Sequence, residues 1–381
     1  MINNRKIIID FHCLRYPGIE DIADEVFNDL KDNPIDTTAI YIIGFNQFIK
    51  YDKYICDLIC NHVRIILFNP QEGSQNMIWM YEKYGFRDLI KNYSFGVVVG
   101  GDQPVDMPAL YFEFFLPIVL ECEGNQIEIE KIHQIYLKSD KPYTFLFFNG
   151  RDRPHRKYLL YHLGQKNLLD HSLWTNLDPT ESWFWPFPQP VVDGHPLGKF
   201  SIPVKFLPVE YEVNKFQTQL IKEFSVGDIQ TNKSHLFKDQ WGDIYLNAQP
   251  YVDTYFSLVT ETVFECPYSF RTEKIWKPIA MGHPFIVASN AGYLRDLKRQ
   301  GFRTFGHLID ESYDSIDNNQ DRIDRIVDLV ETLCRQDLPA FLTAAQDVCK
   351  YNQQHLVELA PKIRPEFAQR FVQYINERFR I

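Results

Sequence analysis

The sequence predicts an α/β protein with two Rossmann-like domains that face a central cleft. The chain has 381 residues, which is long for one hydrophobic core and suits two domains. In its first part, β-type runs alternate with helical patterns, and this alternation favours a parallel sheet with crossover helices. A second series of β-type runs begins near residue 143. Two domains of this kind place a cleft between the carboxyl ends of their sheets.

The first domain is predicted to cover residues 1–140. A helix and turn at residues 121–142 are expected to lead out of it. The predicted strands are residues 6–10, 38–44, 63–68 and 95–100, and the predicted helices are residues 19–31 and 76–91.

The second domain is predicted to cover residues 141–355. It is followed at residues 356–381 by a C-terminal helical segment that could return to the first domain. The predicted strands are residues 143–148, 244–246, 254–260 and 284–289, and the predicted helices are residues 319–335, 339–350 and 365–379.

Composition narrows the class of partner. With 40 basic and 50 acidic residues the net charge is −10, which weighs against long nucleic acid and anionic membranes but not against a small nucleotide. The seven cysteines are scattered and odd in number, which indicates reduced thiols and a cytoplasmic protein. We expect no transmembrane segment, because no window approaches the ~20 apolar residues of a spanning helix. A membrane-peripheral location stays open.

Residues 255–305 carry the clearest functional pattern. A β-type run ends in an acidic turn at Glu261, a helix opens at Thr272, Gly282 is suited to end that helix, and an apolar strand starts at Pro284. The Thr272 side chain can cap the first-turn amides. The pattern therefore predicts a helix N-terminus beside the ends of strands.

Lys274 is unusual in this helix. A cation in the first turn opposes the helix macrodipole, which favours anions there by roughly 0.3–1 kcal/mol. A bound phosphate would remove the conflict, since both the helix N-terminus and the lysine attract it. Glu273 beside it could accept hydroxyl groups of a ribose. The alternative is a solvated Lys274 that is paired with Glu273.

A second basic cluster follows the β-type run at residues 143–148. Asn149 and the glycine after it mark a turn. Within seven positions come Arg151, Arg153, His155, Arg156 and Lys157. A strand, a turn, a basic loop and a helix deliver cations to a pyrophosphate at the carboxyl edge of a parallel sheet. The alternative is a solvated, basic helix start.

Residues 261–262, 270–274 and 282–287 resemble the nucleotide-binding region of the α1,3/4-fucosyltransferases of glycosyltransferase family 10. That family has an acidic turn, an aromatic residue leading into Thr-Glu-Lys, a helix, Gly and a Pro-containing apolar strand. This chain departs from it at Thr262, where Asn is common, and at Arg271, where an apolar residue often stands.

The resemblance implies a GT-B fold and an inverting, metal-independent transfer of fucose from GDP-fucose to a glycan acceptor, such as a bacterial surface oligosaccharide. It implies that an arginine after the first strand of the donor domain contacts the diphosphate. Arg153 is the first choice, with Arg151 and Arg156 as close alternatives. Lys274 is the second cation, and Glu273 would bind the ribose.

Asn149, Thr272 and Glu261 complete the expected donor site, with Glu261 holding a sugar hydroxyl or a neighbouring arginine. No Asp-x-Asp triplet occurs in the sequence, so no metal and no cofactor besides the donor are expected. For the general base, the resemblance points to a strand-end glutamate in the first domain. Glu72 is the first choice and Asp102 the second.

Two other functions stay open at this point. One keeps the fold but uses another nucleotide sugar, or a protein or other acceptor. The other is a protein that binds a nucleotide sugar without catalysis and acts through interactions. If the protein is a glycosyltransferase, its expected partners are a nucleotide-sugar donor and a hydroxyl acceptor.

Overall fold

The chain folds as an α/β protein with two parallel sheets, which confirms the predicted class. The computed structural model describes residues 7–9, 35–44, 52–70, 94–101, 109–121, 141–150, 153–176, 202, 205 and 248–379. The chain divides into two compact units. The first comprises Met1–Phe114 and Pro361–Ile381, and the second comprises Phe115–Ala360.

The first unit contains a five-stranded parallel sheet with helix α1, Asp52–Cys60, between its second and third strands. In sheet order, which is also chain order, the strands are β1 (Ile7–Ile9), β2 (Ile40–Gly44), β3 (Arg64–Asn69), β4 (Phe95–Gly100) and β5 (Ala109–Phe112). Every residue of β2 and β4 is buried. Parallel sheets are covered on both faces, which explains why these strands are continuous apolar runs.

The second unit begins with helix α2, Phe115–Glu121. The sequence prediction placed these residues in the first domain. The elements that follow are β6 (Phe145–Phe147), α3 (Pro154–Gln165), β7 (Leu173–Trp174), α4 (Gln249–Val252), β8 (Phe256–Thr260), α5 (Glu273–Ala280), β9 (Phe285–Ala288), α6 (Tyr293–Arg299), a 3₁₀ helix (Glu311–Ser315), α7 (Asn319–Cys334) and α8 (Leu338–Phe379).

The sheet of the second unit has the strand order β7-β6-β8-β9, and all its pairs are parallel. Its core is aromatic: Phe145 and Phe256 are buried and stack with ring centroids 5.4 Å apart. Helix α5 buries Ile275, Trp276 and Ile279. These side chains fix α5 against the sheet, so the position of its N-terminus is determined by the core.

Helix α8 corrects one prediction. The sequence suggested separate helices at residues 339–350 and 365–379, but one helix runs from Leu338 to Phe379 and contains Pro361 and Pro365. Both prolines are exposed. Each removes only one main-chain donor, and water can reach the carbonyl oxygens that are left without it, so the helix continues through them.

The C-terminal part of α8 belongs to the first unit. Phe367 stacks on Phe112 with ring centroids 4.1 Å apart. The main-chain nitrogen of Val97 donates to the Tyr374 hydroxyl at 2.8 Å. Among the described residues, no helix combines the length and apolar character that crossing a bilayer requires.

Candidate functional site

The order of strands in the second unit identifies a place for a ligand. From β6, the chain passes to β7 on one side of the sheet and later to β8 on the other side. In open parallel sheets, such a reversal creates a crevice at the carboxyl ends of the two strands involved. The described strands of the first unit follow one another in chain order and show no such reversal. The carboxyl ends of β6 and β8 are therefore the candidate site.

Three buried polar residues lie in a row across this edge. Thr260 Oγ1, at the end of β8, donates to Asn149 Oδ1 at 3.0 Å. On the other side, the main-chain nitrogen of Asn149 donates to Thr175 Oγ1 at 2.9 Å. Within the described part of the chain, Asn149 Nδ2 is buried and has no hydrogen-bond acceptor. The row thus presents an amide donor at the point where the strand order reverses.

Glu261 directly follows β8 and is fully buried. Its Oε1 accepts from the main-chain nitrogen of Thr272 at 3.1 Å and from the Tyr293 hydroxyl at 2.8 Å, and its Oε2 accepts from Thr272 Oγ1 at 2.6 Å. Burial raises the pKa of the Glu261 carboxyl, against the opposing effects of the Lys274 charge and the Thr272 hydrogen bonds. The carboxylate is therefore engaged inside the protein, and none of these partners is an arginine.

Thr272 is the N-cap of α5. Its backbone is extended, with φ −112° and ψ −172°, and its Oγ1 accepts from the main-chain nitrogen of Lys274 at 3.4 Å. Lys274 Nζ lies 3.3 Å from the same oxygen and 2.5 Å from Glu273 Oε1. The Lys274 side chain is 26 % exposed and that of Glu273 8 %. The pairing of Lys274 with Glu273, left open by the sequence, is thus present.

The Glu273 carboxyl stays ionised in this arrangement. Burial raises the pKa of this carboxyl. The charges of Lys274 and Lys277 and the hydrogen bond from Lys274 lower it by more than burial raises it, so the pKa is below its ordinary value. A buried carboxylate next to a partly exposed ammonium gives the first turn of α5 both an acceptor and a cation.

Helix α3 begins beside the same strand end. Arg153 occupies its N-cap position with an extended backbone, and Pro154 follows as the first helical residue. His155 Nε2 donates to the carbonyl oxygen of Glu261 at 3.0 Å. The pKa of His155 is well below its ordinary value because the ring is buried and close to Arg156, so the neutral ring donates through Nε2.

Arg156 contacts the main chain. Its Nη2 donates to the carbonyl oxygens of Thr260 at 3.2 Å and Glu261 at 3.3 Å, and the residue is buried. The sequence prediction named Arg156 as an alternative to Arg153 for the phosphate contact, and in the structure its side chain joins α3 to the end of β8. Arg153, at the N-cap of the same helix, is the arginine that the sequence prediction put first for the diphosphate contact.

The first turns of α3 and α5 therefore meet at one residue. The carbonyl oxygen of Glu261 accepts from α3, and its carboxylate accepts from α5. Helix N-termini carry a partial positive charge, which attracts anions. Arg153 and Lys274 add a formal charge to each start. The arrangement is suited to a ligand with more than one negative charge.

The loop between β8 and α5 is fastened at several points. Ser289 Oγ donates to the carbonyl oxygen of Val263 at 2.9 Å, and Arg322 Nη2 donates to that of Phe264 at 2.8 Å. Sequence reasoning missed Arg322, Ser289 and Tyr293. They lie far along the chain from their partners, and no local pattern marks them. These two bonds attach the loop to the end of β9 and to α7.

Three predicted residues lie outside the described part of the chain: Arg151, Glu72 and Asp102. In the first unit, the structure instead draws attention to Glu113, which follows β5, is buried and accepts a hydrogen bond from the Tyr111 hydroxyl. Sequence analysis did not select it. Its position after a parallel strand is the signal that could have done so.

Among the described residues, His, Cys, Asp and Glu side chains form no group of three or more that could hold a metal ion. Comparison of the chain with protein-family models, with curated proteins and with solved structures gave no match.

Proposed function

We propose that this chain is a glycosyltransferase whose second unit binds the nucleoside diphosphate of a sugar donor. One observation carries the proposal: two helix N-termini, each with a cation, meet at Glu261 where the strand order reverses. The resemblance to family 10 favours GDP-fucose as the donor and a glycan as the acceptor. In this proposal the two units correspond to two Rossmann-like domains, and the first unit binds the acceptor.

The diphosphate is the leaving group, and it gains negative charge as the bond to the sugar breaks. Lys274 and Arg153 stabilise that charge, together with the partial positive charge at the starts of α3 and α5. Arginine can contact phosphate oxygens through two parallel hydrogen bonds. Asn149 Nδ2 supplies a further donor, and the Glu273 carboxylate accepts from the ribose hydroxyls. These residues bind and polarise the donor.

The acceptor hydroxyl must lose a proton as its oxygen attacks the anomeric carbon from the face opposite the diphosphate. A single displacement of this kind inverts the sugar configuration. Glu72, or Asp102 in its place, is our candidate for the general base that takes the proton. The nucleoside diphosphate leaves with the electron pair of the broken bond.

Lys274→Ala tests the donor site. We expect GDP to bind about tenfold or more weakly, because a charge-assisted hydrogen bond to phosphate contributes about 1.5–3 kcal/mol. The measurement is the Kd by titration calorimetry. Lys350→Ala is the control, since it removes the same charge from an exposed position on α8 in the same unit. Equal losses in the two variants would contradict the site.

Arg153→Ala should weaken the binding of GDP by a similar factor. Lys157→Ala, which removes a charge one turn further along α3, should leave the Kd for GDP unchanged. A thermal-shift series with GDP, UDP, CMP and ADP then identifies the base. A nucleotide at 100 times its Kd stabilises the folded state by about 2.7 kcal/mol. Selectivity for GDP supports GDP-fucose as the donor. Selectivity for UDP would refute GDP-fucose but would still be consistent with a glycosyltransferase that uses another nucleotide sugar.

A further inference from the structure

Lys274 is held by a chain of contacts that starts at Glu261. Thr272 Oγ1 donates its hydrogen to Glu261 Oε2 at 2.6 Å, so its lone pairs are free to face the first turn of α5. There they accept from the main-chain nitrogen of Lys274 at 3.4 Å and from its Nζ at 3.3 Å. The carboxylate thus reaches the ammonium group through the Thr272 hydroxyl.

The side-chain environment of Glu261 requires an acceptor. Its three described partners, the amide and hydroxyl of Thr272 and the hydroxyl of Tyr293, all donate to it. An ionised carboxylate accepts only, whereas a carboxamide must donate through one end. The Glu261 side chain is fully buried, and its contacts leave little room for a ligand hydroxyl.

We propose that Glu261 is a positioning residue: its carboxylate orients the Thr272 hydroxyl and, through it, the Lys274 ammonium group that binds the donor diphosphate. This inference rests on the proposed function, because it assumes a nucleoside diphosphate at the first turn of α5. It takes the place of the two contacts that the sequence suggested for Glu261, with a sugar hydroxyl or with a neighbouring arginine.

Glu261→Gln tests whether the carboxylate of Glu261 positions the Thr272 hydroxyl and Lys274. The substitution keeps the shape of the side chain but places an amide donor opposite Thr272 Oγ1. The hydroxyl must then accept from the amide and turn its own hydrogen toward Lys274, where it opposes the ammonium group. The variant therefore disturbs Lys274 without removing an atom from the site.

The test is a double-mutant cycle on the Kd for GDP and for UDP. We expect Glu261→Gln and Thr272→Val each to weaken binding about tenfold, the scale of one lost hydrogen bond to a charged group. The double variant should bind no more weakly than Thr272→Val alone, because Glu261 acts through the hydroxyl. Additive losses would mean that Glu261 reaches the ligand by another route and would overturn the inference.

Thr272→Ser keeps the hydroxyl and should restore binding. If Glu261→Gln fails to fold, the Thr272→Val and Thr272→Ser variants still test the inference. Equal affinities of these two variants for GDP would overturn it. Ser257→Ala is the stability control. It removes a buried bond on the same strand, Ser257 Oγ to His283 Nδ1 at 2.8 Å, and should lower the Tm but not the affinity.

The outcomes also distinguish this inference from the function on which it rests. Wild-type protein that binds neither GDP nor UDP refutes the proposed function and the inference together. Wild-type binding that is weakened by Lys274→Ala but not by Glu261→Gln refutes the inference alone. A loss in Ser257→Ala as large as that in Glu261→Gln would show that lower stability explains both, and the positioning role would be wrong.

Discussion

His283 is a buried histidine that the fold holds in its neutral form. Its Nε2 lies 3.0 Å from the carbonyl oxygen of Thr254, which can only accept, so this nitrogen carries the proton. Its Nδ1 then accepts from Ser257 Oγ at 2.8 Å. Burial lowers its pKa to about 3, and the positive charge of Lys141 acts in the same direction. A protonated ring would lose the bond from Ser257.

This pKa makes the stability of the protein depend on pH. Between pH 6.5 and about 3, the unfolded chain carries a proton on His283 that the folded chain lacks. The free energy of unfolding should therefore fall as pH decreases through this window, by about 1.4 kcal/mol per pH unit from this one group. The His283→Gln variant should show a shallower slope in denaturant unfolding measured from pH 7 to pH 4.

The control for this experiment is His307→Gln, which removes an exposed histidine from the same unit. Carboxylates also titrate in the lower part of the window, but they do so in all three proteins. Identical slopes for the wild type and His283→Gln would show that the buried ring is not the origin of the pH dependence.

At the residue scale, the sequence could predict caps but not long-range partners. Thr272 was recognisable as an N-cap because capping depends on the residues that follow directly. The same was not true of Tyr293, whose hydroxyl reaches Glu261 from 32 positions further along the chain. Arg156 bonds the carbonyl oxygen of Thr260 over a separation of 104 positions. For this reason the sequence identified Glu261 and Arg156 as candidate site residues but not their partners within the protein.

At the scale of elements, buried parallel strands were the easiest to predict. Strand β4 was predicted with its observed bounds, and β2, β3, β8 and β9 lie within two residues of theirs, because each is a largely apolar and buried run. Strand β5 was missed. Only Glu113 and Phe114 lie between it and α2, so no turn signal separates the two elements. The reversal of strand order at β6 is a tertiary property that no local pattern contains.

The two prolines in α8 should lower the stability of the helix that they failed to break. Each one removes an internal hydrogen bond, and both are exposed, so no packing of their rings offsets the loss. We expect Pro361→Ala and Pro365→Ala each to stabilise the protein by about 1 kcal/mol or more. Thermal and urea unfolding should show the gain. Lys362→Ala, a substitution at an exposed position in the same turn, should have little effect on stability. A loss of stability in the proline variants would show that the packing of α8 requires the prolines.

At the scale of the whole molecule, the described residues of the candidate donor site all belong to one unit. Asn149, Arg153, Glu261, Thr272 and Lys274 lie within Phe115–Ala360. In our proposal, donor binding and sugar transfer are therefore separable properties. Changes at Lys274 should affect both, whereas changes at Glu72 or Asp102 should reduce transfer and leave the Kd for the nucleotide unchanged.

The overall charge of the chain leads to a prediction about metal ions. The protein is acidic, with a net charge of −10, and its sequence has no Asp-x-Asp triplet with which to hold a divalent ion at a diphosphate. In our proposal Lys274 and Arg153 neutralise the leaving group.

Release of GDP from GDP-fucose in the presence of a glycan mixture should therefore continue at an unchanged rate in EDTA. Lys274→Ala should reduce that rate about 10²–10³-fold, the usual effect of removing one group that stabilises transition-state charge. If EDTA abolishes the reaction and Mg²⁺ or Mn²⁺ restores it, a metal ion carries out the neutralisation that we assign to these side chains.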